Sequence, residues 1–91
     1  MPEKYDVSIE SRPTLHLKGL ICYGPGDWRD VEAFVPVCDA TLTEPVLGPQ
    51  GGFRGAELRN HTGRIVWTFY KGQGDFYQRV KAAIMKAVGH A

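Results

Sequence analysis

The side chains that could bind a metal or act as strong nucleophiles are few and widely spaced in this sequence. Its histidines are His16, His61 and His90, and its cysteines are Cys22 and Cys38. No two of these residues lie at the short spacings from which zinc sites are built. The sequence therefore predicts no metal site and no cofactor.

The hydroxyl and thiol groups form no complete catalytic motif. Covalent catalysis requires a nucleophile, a base within hydrogen-bonding reach and a group that orients the base. Ser8, Ser11, Thr62 and Cys22 are candidate nucleophiles, and none stands in a motif that places a histidine beside it. We therefore expect a protein that is not an enzyme.

The segment Lys71-Gly-Gln-Gly-Asp75 has some features of an anion site. It places a cation and two glycines before a predicted helix, and free backbone amides at a helix N-terminus can hold an anion. However, Asp75 puts a carboxylate where the anion would lie, and the spacing matches no complete phosphate-binding motif. The segment therefore predicts an ordinary turn between a strand and a helix.

Five aromatic residues fall within eleven positions: Trp67, Phe69, Tyr70, Phe76 and Tyr77. Successive residues of a strand face opposite sides, and successive residues of a helix are separated by about 100° around its axis. The five rings therefore cannot all point into one core.

Two of these rings, Tyr70 and Tyr77, are expected at the boundary of the core, beside Lys71 and Arg79. Exposed aromatic rings next to arginine are typical of protein-binding hot spots. The predicted partner-binding residues are Tyr70, Lys71, Tyr77 and Arg79.

A hairpin positions the first of these residues. Residues 53–59 and 64–70 predict two strands joined by Asn60-His-Thr-Gly63, where Gly63 can adopt the positive φ that closes the loop. Residues 64–70 are apolar on both faces, which predicts a central strand or one that is covered on its second face.

A C-terminal helix positions Tyr77 and Arg79. Asp75 and Gln78 predict its start, and Gly89 predicts its end. The apolar residues between them follow helical spacing and predict an amphipathic helix: Phe76, Val80, Ile84 and Ala87 or Val88.

The N-terminal part predicts strands by its alternation of apolar and polar residues. Tyr5, Val7 and Ile9 predict one strand. Residues 15–23 predict a second strand, with a bulge at Gly19, where the alternation shifts. In that strand His16 falls on the polar face.

The middle of the chain is ambiguous between helix and strand. Trp28, Val31 and Val35 have helical spacing, which predicts a short helical turn over residues 28–34, followed by a strand from about 37 to 43. Residues 43–52 contain two prolines and three glycines, which predicts a loop. Cys22 and Cys38 lie in strand-like apolar surroundings and are expected to be buried, reduced thiols.

Length and composition predict one domain, residues 1–91, of the α+β class. We expect an antiparallel sheet of four or five strands, the C-terminal helix on one face, and the helical turn near residue 28. The net charge is +1, so no overall field attracts nucleic acid or an acidic membrane. No apolar run approaches the roughly 20 residues of a membrane span, and no signal peptide is evident. We therefore expect a cytoplasmic protein.

These features favour a protein-binding module whose partner is another protein or a second copy of the chain. Small single-domain proteins of this kind are commonly inhibitors, adaptors or regulatory proteins, including those of phages and other mobile elements. The alternative is a nucleic-acid-binding domain that uses the cations along the C-terminal helix: Lys71, Arg79, Lys81 and Lys86.

Overall fold

Seven strands, a 3₁₀ turn and one α-helix make up the part of the chain that the computed structural model describes, residues 4–11 and 13–89. In chain order they are β1 (Lys4–Glu10), β2 (Thr14–Gly24), β3 (Asp27–Pro36), the 3₁₀ turn (Val37–Asp39), β4 (Thr41–Leu42), β5 (Val46–Leu47), β6 (Phe53–Arg59), β7 (Ile65–Tyr70) and α1 (Gly74–Gly89).

The first three strands form an antiparallel sheet in the order β1-β2-β3. Its register places Val7 opposite Leu17 and Leu15 opposite Val35. Directly opposed residues share a face of the sheet. Leu15, Leu17 and Val35 therefore lie on one inner face, where all three are buried.

The other four strands form a second antiparallel sheet around β6. Gly55 pairs with Tyr70 of β7 on one edge of β6 and with Val46 of β5 on the other. β4 lies along the same edge as β5, and Pro45 lies between these two short pieces. Proline cannot donate a hydrogen bond, so this edge strand is interrupted where Pro45 stands.

Helix α1 closes the core between the two sheets. It contacts β1 of the first sheet and both β6 and β7 of the second. The Phe76 ring stacks on Tyr5 of β1 with centroids 5.1 Å apart, and it also lies 5.6 Å from the Phe69 ring of β7. Val80 is fully buried between them.

The predicted α+β class, antiparallel strands and C-terminal helix are confirmed. The predicted hairpin is also confirmed: β6 and β7 pair, and Gly63 in their loop has φ 85°. The strands are divided between two sheets, and the predicted loop 43–52 contains the short strand β5.

The helical turn predicted over residues 28–34 is wrong, because these residues belong to β3. β3 pairs with β2 along its whole length: Thr14 pairs with Pro36 at one end and Gly24 with Asp27 at the other. Pro25 and Gly26 form the tight turn between the strands. Val31 and Val35 have helical spacing, but with Ala33 they also alternate inward along a strand, and pairing with β2 favours the extended conformation. The strand predicted for 37–43 is reduced to β4, since residues 37–39 form the 3₁₀ turn.

The bulge predicted at Gly19 is also wrong. The register has no shift at Gly19, which pairs with Tyr5 of β1 and with Val31 of β3. The irregularity in β2 lies between Cys22 and Gly24. A Cβ atom at Gly19 would stand 3.1 Å from Cδ1 of Tyr5 and 3.3 Å from Cγ2 of Val31. Glycine at this position therefore lets the Tyr5 ring lie directly against β2.

Burial corrects the predictions for three polar or sulfur-containing residues. His16 does lie on the face opposite Leu15 and Leu17, but it is buried, because the Phe34 ring stacks on it at 4.1 Å. Cys22 and Cys38 are not joined by a disulfide, but both are exposed rather than buried. Cys22 is exposed because it falls on the outer face of the first sheet.

Candidate functional site

The four predicted partner-binding residues do not form one surface. Tyr70 is exposed at the end of β7, and Lys71 is exposed in the turn that follows. Tyr77 lies in the core, and the side chain of Arg79 is bound to β1. The structure thus separates residues that the sequence brings close together.

Tyr77 is buried, with 3% of its surface exposed, so its predicted place at the boundary is wrong. Its ring lies 5.5 Å from that of Phe69 and 5.4 Å from that of Phe53. Its hydroxyl donates to the Thr43 carbonyl at 3.1 Å. The helix lies between β1 and the second sheet, so a wide arc of its surface is covered and both Phe76 and Tyr77 are buried.

Arg79 links the helix to the first sheet. One guanidinium nitrogen donates to the Tyr5 carbonyl at 3.0 Å, and the other lies 2.9 Å from Oδ1 of Asp6. The side chain therefore satisfies backbone and carboxylate groups of β1. Arg79 does not line the groove beside Tyr70.

Tyr70 instead borders a groove between the first sheet and β7, which we call the Tyr23–Tyr70 groove. The cavity has a volume of about 320 Å³ and is lined by residues of both sheets: Tyr5, Ile21, Tyr23, Val31, Glu32, Val66, Trp67, Thr68, Tyr70 and Gln73. Tyr23 is 58% exposed and Tyr70 is 65% exposed. Two large rings therefore stand in solvent around a depression whose lining is both polar and apolar.

The groove lies where the edges of two sheets meet. β3 pairs with β2, and β7 pairs with β6, so each is an edge strand of its own sheet within the described residues. β3 and β7 contact each other, but no hydrogen-bonded ladder joins them in this part of the chain. The sequence predicts β7 to be central or covered on its second face. The first alternative is wrong, and the second is met in part, because Val66 and Thr68 on that face are half-buried.

Polar contacts hold the rim of the groove. Gln73 accepts a hydrogen bond from the Tyr70 amide at 3.0 Å and donates one to the Tyr5 hydroxyl at 2.7 Å. On the other side, the Arg29 guanidinium lies 4.9 Å from the centre of the Tyr23 ring and is paired with Asp27 at 3.1 Å. The groove therefore combines tyrosine rings, an arginine and a fixed amide.

Sequence reasoning missed Tyr23 and Arg29. Its assignment of residues 28–34 to a helical turn concealed the β2–β3 hairpin, which brings Arg29 opposite Ile21 and beside Tyr23. The signal that could have revealed it is the turn Gly24-Pro-Gly-Asp27, which stands between two runs of alternating residues.

Within residues 4–11 and 13–89, no cluster of three or more His, Cys, Asp or Glu side chains is arranged to hold a metal ion. His16 lies 3.1 Å from Glu10 and 3.6 Å from Glu32 through its two different ring nitrogens, so these carboxylates do not share one site. His61 lies 3.4 Å from Asp39, and His90 is outside the described residues. In the same part of the chain, no helix has the length and hydropathy needed to cross a bilayer.

Comparison of the chain with protein-family models, with curated proteins and with solved structures found no match.

Proposed function

We propose that this protein is a non-enzymatic binding module that holds an extended segment of a partner protein along β7, in the Tyr23–Tyr70 groove. The observation that carries the proposal is the composition of β7. Its six residues, Ile-Val-Trp-Thr-Phe-Tyr, contain no charge and no proline, although β7 is an edge strand.

An edge of this composition is unusual in a protein that has no partner. Edge strands are commonly protected by charged residues, proline, bulges or a covering segment, because their free backbone groups can pair with another chain. β3 follows this rule, with Asp30 and Glu32 near its middle and Pro36 at its end. β7 has neither charge nor proline; its register irregularity lies at its start, between Ile65 and Trp67, and β3 contacts it without a hydrogen-bonded ladder in the described residues. This composition supports a strand-addition mode of binding, in which the backbone supplies affinity.

The surrounding rings supply specificity in this proposal. Tyr70 and Tyr23 provide large contact areas at low cost in conformational entropy, and Trp67 is half-buried at the base of the groove. Arg29 over the Tyr23 ring completes an aromatic and basic surface of the kind found at binding hot spots. The apolar and aromatic side chains of an extended partner segment fit this surface.

An inhibitor, adaptor or regulatory role follows from this mode of binding, because the protein would act by occupying a strand or segment of its partner. We place it in the cytoplasm, since two exposed cysteines that form no disulfide suit a reducing compartment. A second copy of the chain is the alternative occupant of the same edge.

The test compares the wild-type protein with Tyr70→Ala, Tyr23→Ala and a control, Met85→Ala. Met85 is 64% exposed on α1 and does not line the groove. Partners captured from the native host are purified and their affinities measured with each variant, and the oligomeric state is measured by light scattering. We expect the tyrosine variants to weaken one interaction by at least about tenfold, as hot-spot truncations do, while the control binds normally.

Two further readouts make this test decisive. On partner binding, amide hydrogen exchange should slow in β7 and leave the exposed face of α1 unchanged. Affinity should fall only slightly as salt rises, because buried aromatic contacts are weakly screened. Retention of affinity in both tyrosine variants contradicts the proposal. Steep salt dependence with loss of binding in Lys81→Gln and Lys86→Gln instead favours the nucleic-acid alternative.

A further inference from the structure

Two exposed cations, Arg54 and Lys71, line a cavity beside the start of β6 and the end of β7. The cavity has a volume of about 360 Å³ and is lined by Gly48, Pro49, Gln50, Gly52, Phe53, Arg54 and Lys71. It shares no lining residue with the Tyr23–Tyr70 groove. Among the described residues, its charged lining side chains are those of Arg54 and Lys71, and no carboxylate lines it.

The two cations come from neighbouring segments. Gly55, which follows Arg54 in β6, pairs with Tyr70, which precedes Lys71 in the turn after β7. Both residues line the same cavity. Among residues 4–11 and 13–89, neither cation has an ion pair, although Arg29, Arg59 and Arg79 each pair with a carboxylate.

The loop between β5 and β6 forms the other wall of the cavity. It closes on itself through hydrogen bonds from the Gly48 amide to the Gly52 carbonyl at 2.8 Å and from the Gly51 amide to the Gly48 carbonyl at 2.9 Å. The Arg54 side chain lies across Gly48, since a Cβ atom there would stand 2.9 Å from Nε of Arg54. Glycine at position 48 therefore lets the guanidinium lie against the loop.

We propose that this cavity is a binding site for a phosphate monoester of a small molecule. An oxyanion bound in the cavity would supply the negative charge that Arg54 and Lys71 lack among the described residues. A planar guanidinium binds two phosphate oxygens at once, and an ammonium group supplies a second point charge. The half-buried Phe53 ring lines the cavity and offers an apolar surface to the organic part of the ester. This site is independent of the proposed protein-binding function.

The test measures binding of inorganic phosphate, glycerol 3-phosphate and phenyl phosphate to the full chain, by calorimetry and by NMR titration at constant ionic strength. The variants are Arg54→Gln, Lys71→Gln and Gly48→Ala. The control is Arg64→Gln, which removes an exposed guanidinium at the other end of the same hairpin. Circular dichroism checks that each variant folds.

We expect saturable binding of both esters by the wild type, tighter than the binding of inorganic phosphate. Arg54→Gln and Lys71→Gln should weaken it about tenfold, as expected for loss of a charge-assisted hydrogen bond. Gly48→Ala should weaken it as well, because the new methyl group displaces the guanidinium, and the control should bind as the wild type does.

Three results would overturn the proposal. The first is the absence of saturable ester binding by the wild type. The second is an equal loss of affinity in the Arg64→Gln control, which would show general attraction to cations. The third is binding of inorganic phosphate at least as tight as that of both esters, which would remove the assignment of a monoester.

Discussion

Tyr77 shows how one buried hydroxyl ties separate parts of this fold together. Its ring packs on Phe69 of β7, and its hydroxyl donates to the carbonyl of Thr43, in the segment between β4 and β5. Burial raises the pKa of Tyr77 above its ordinary value of 10.0, and the negative charge of Glu44 raises it further. The neutral hydroxyl is therefore the form that the folded state favours.

This placement predicts a dependence of stability on pH. Because the pKa is higher in the folded state than in the unfolded state, the contribution of Tyr77 is fully present below about pH 10 and is lost as the pH rises through the folded-state pKa. Tyr77→Phe should lower the free energy of unfolding by about 1 kcal/mol at neutral pH, through loss of the hydrogen bond. It should also lose less stability than the wild type between about pH 8 and pH 11. Urea denaturation at neutral pH measures the loss of the hydrogen bond, and urea denaturation at about pH 8 and pH 11 measures the dependence on pH.

The matched control is Tyr70→Phe, which removes an exposed hydroxyl. This control should lose as much stability as the wild type over the same pH range. If Tyr77→Phe shows the full wild-type loss, ionisation of Tyr77 does not contribute to unfolding at high pH.

At the scale of elements, α1 is joined to the edge of β1 by a polar link as well as by the core. Arg79 reaches both the Tyr5 carbonyl and the Asp6 carboxylate, while Phe76 stacks on the Tyr5 ring. The Arg79–Asp6 pair is largely exposed, so solvent screens it. Aromatic stacking therefore outweighs the ion pair in holding α1 against β1.

This comparison predicts a modest effect of removing the link. Arg79→Ala should lower the free energy of unfolding by less than about 1 kcal/mol, as is typical of exposed ion pairs. It should leave partner binding unchanged, since Arg79 lies outside the Tyr23–Tyr70 groove. Chemical denaturation and the binding assay described for Tyr70→Ala provide the two measurements. Normal stability with lost binding would instead place Arg79 in the partner site, as the sequence predicts.

At the scale of the whole molecule, two sheets and one helix share a single cluster of buried residues. Leu15, Leu17 and Val35 come from the first sheet, Leu58 and Phe69 from the second, and Val80 from α1. Neither sheet has a separate core among the described residues. Domains that share one core usually unfold in a single cooperative transition.

The two tryptophans make this cooperativity measurable. Trp28 lies in the first sheet and Trp67 in the second. Trp67→Phe leaves Trp28 as the fluorescent reporter, and Trp28→Phe leaves Trp67. Adding Leu17→Ala to either variant should shift its urea midpoint by the same amount, with a cost of roughly 2 to 5 kcal/mol.

Different shifts for the two reporters would show that the sheets unfold separately. The control is Thr41→Ala, a substitution of an exposed residue of β4, which should leave both midpoints nearly unchanged.

The elements that the sequence predicts correctly are those determined by residues close to one another along the chain. The β6–β7 hairpin follows from two strand-like segments around a loop that contains Gly63, and α1 follows from apolar residues at helical spacing. Turn chemistry and periodicity act over a few residues, so they are readable without knowledge of the rest of the fold.

Only the tertiary structure decides what depends on distant contacts. Pairing with β2 makes residues 27–36 a strand, and the position of α1 between β1 and the second sheet buries Tyr77. The meeting of Tyr23 with Tyr70 depends on how the two sheets are oriented, and the meeting of Lys71 with the Gly48 loop depends on the strand order around β6. These arrangements depend on how apolar surface from distant parts of the chain is buried together, which no local stretch of sequence determines.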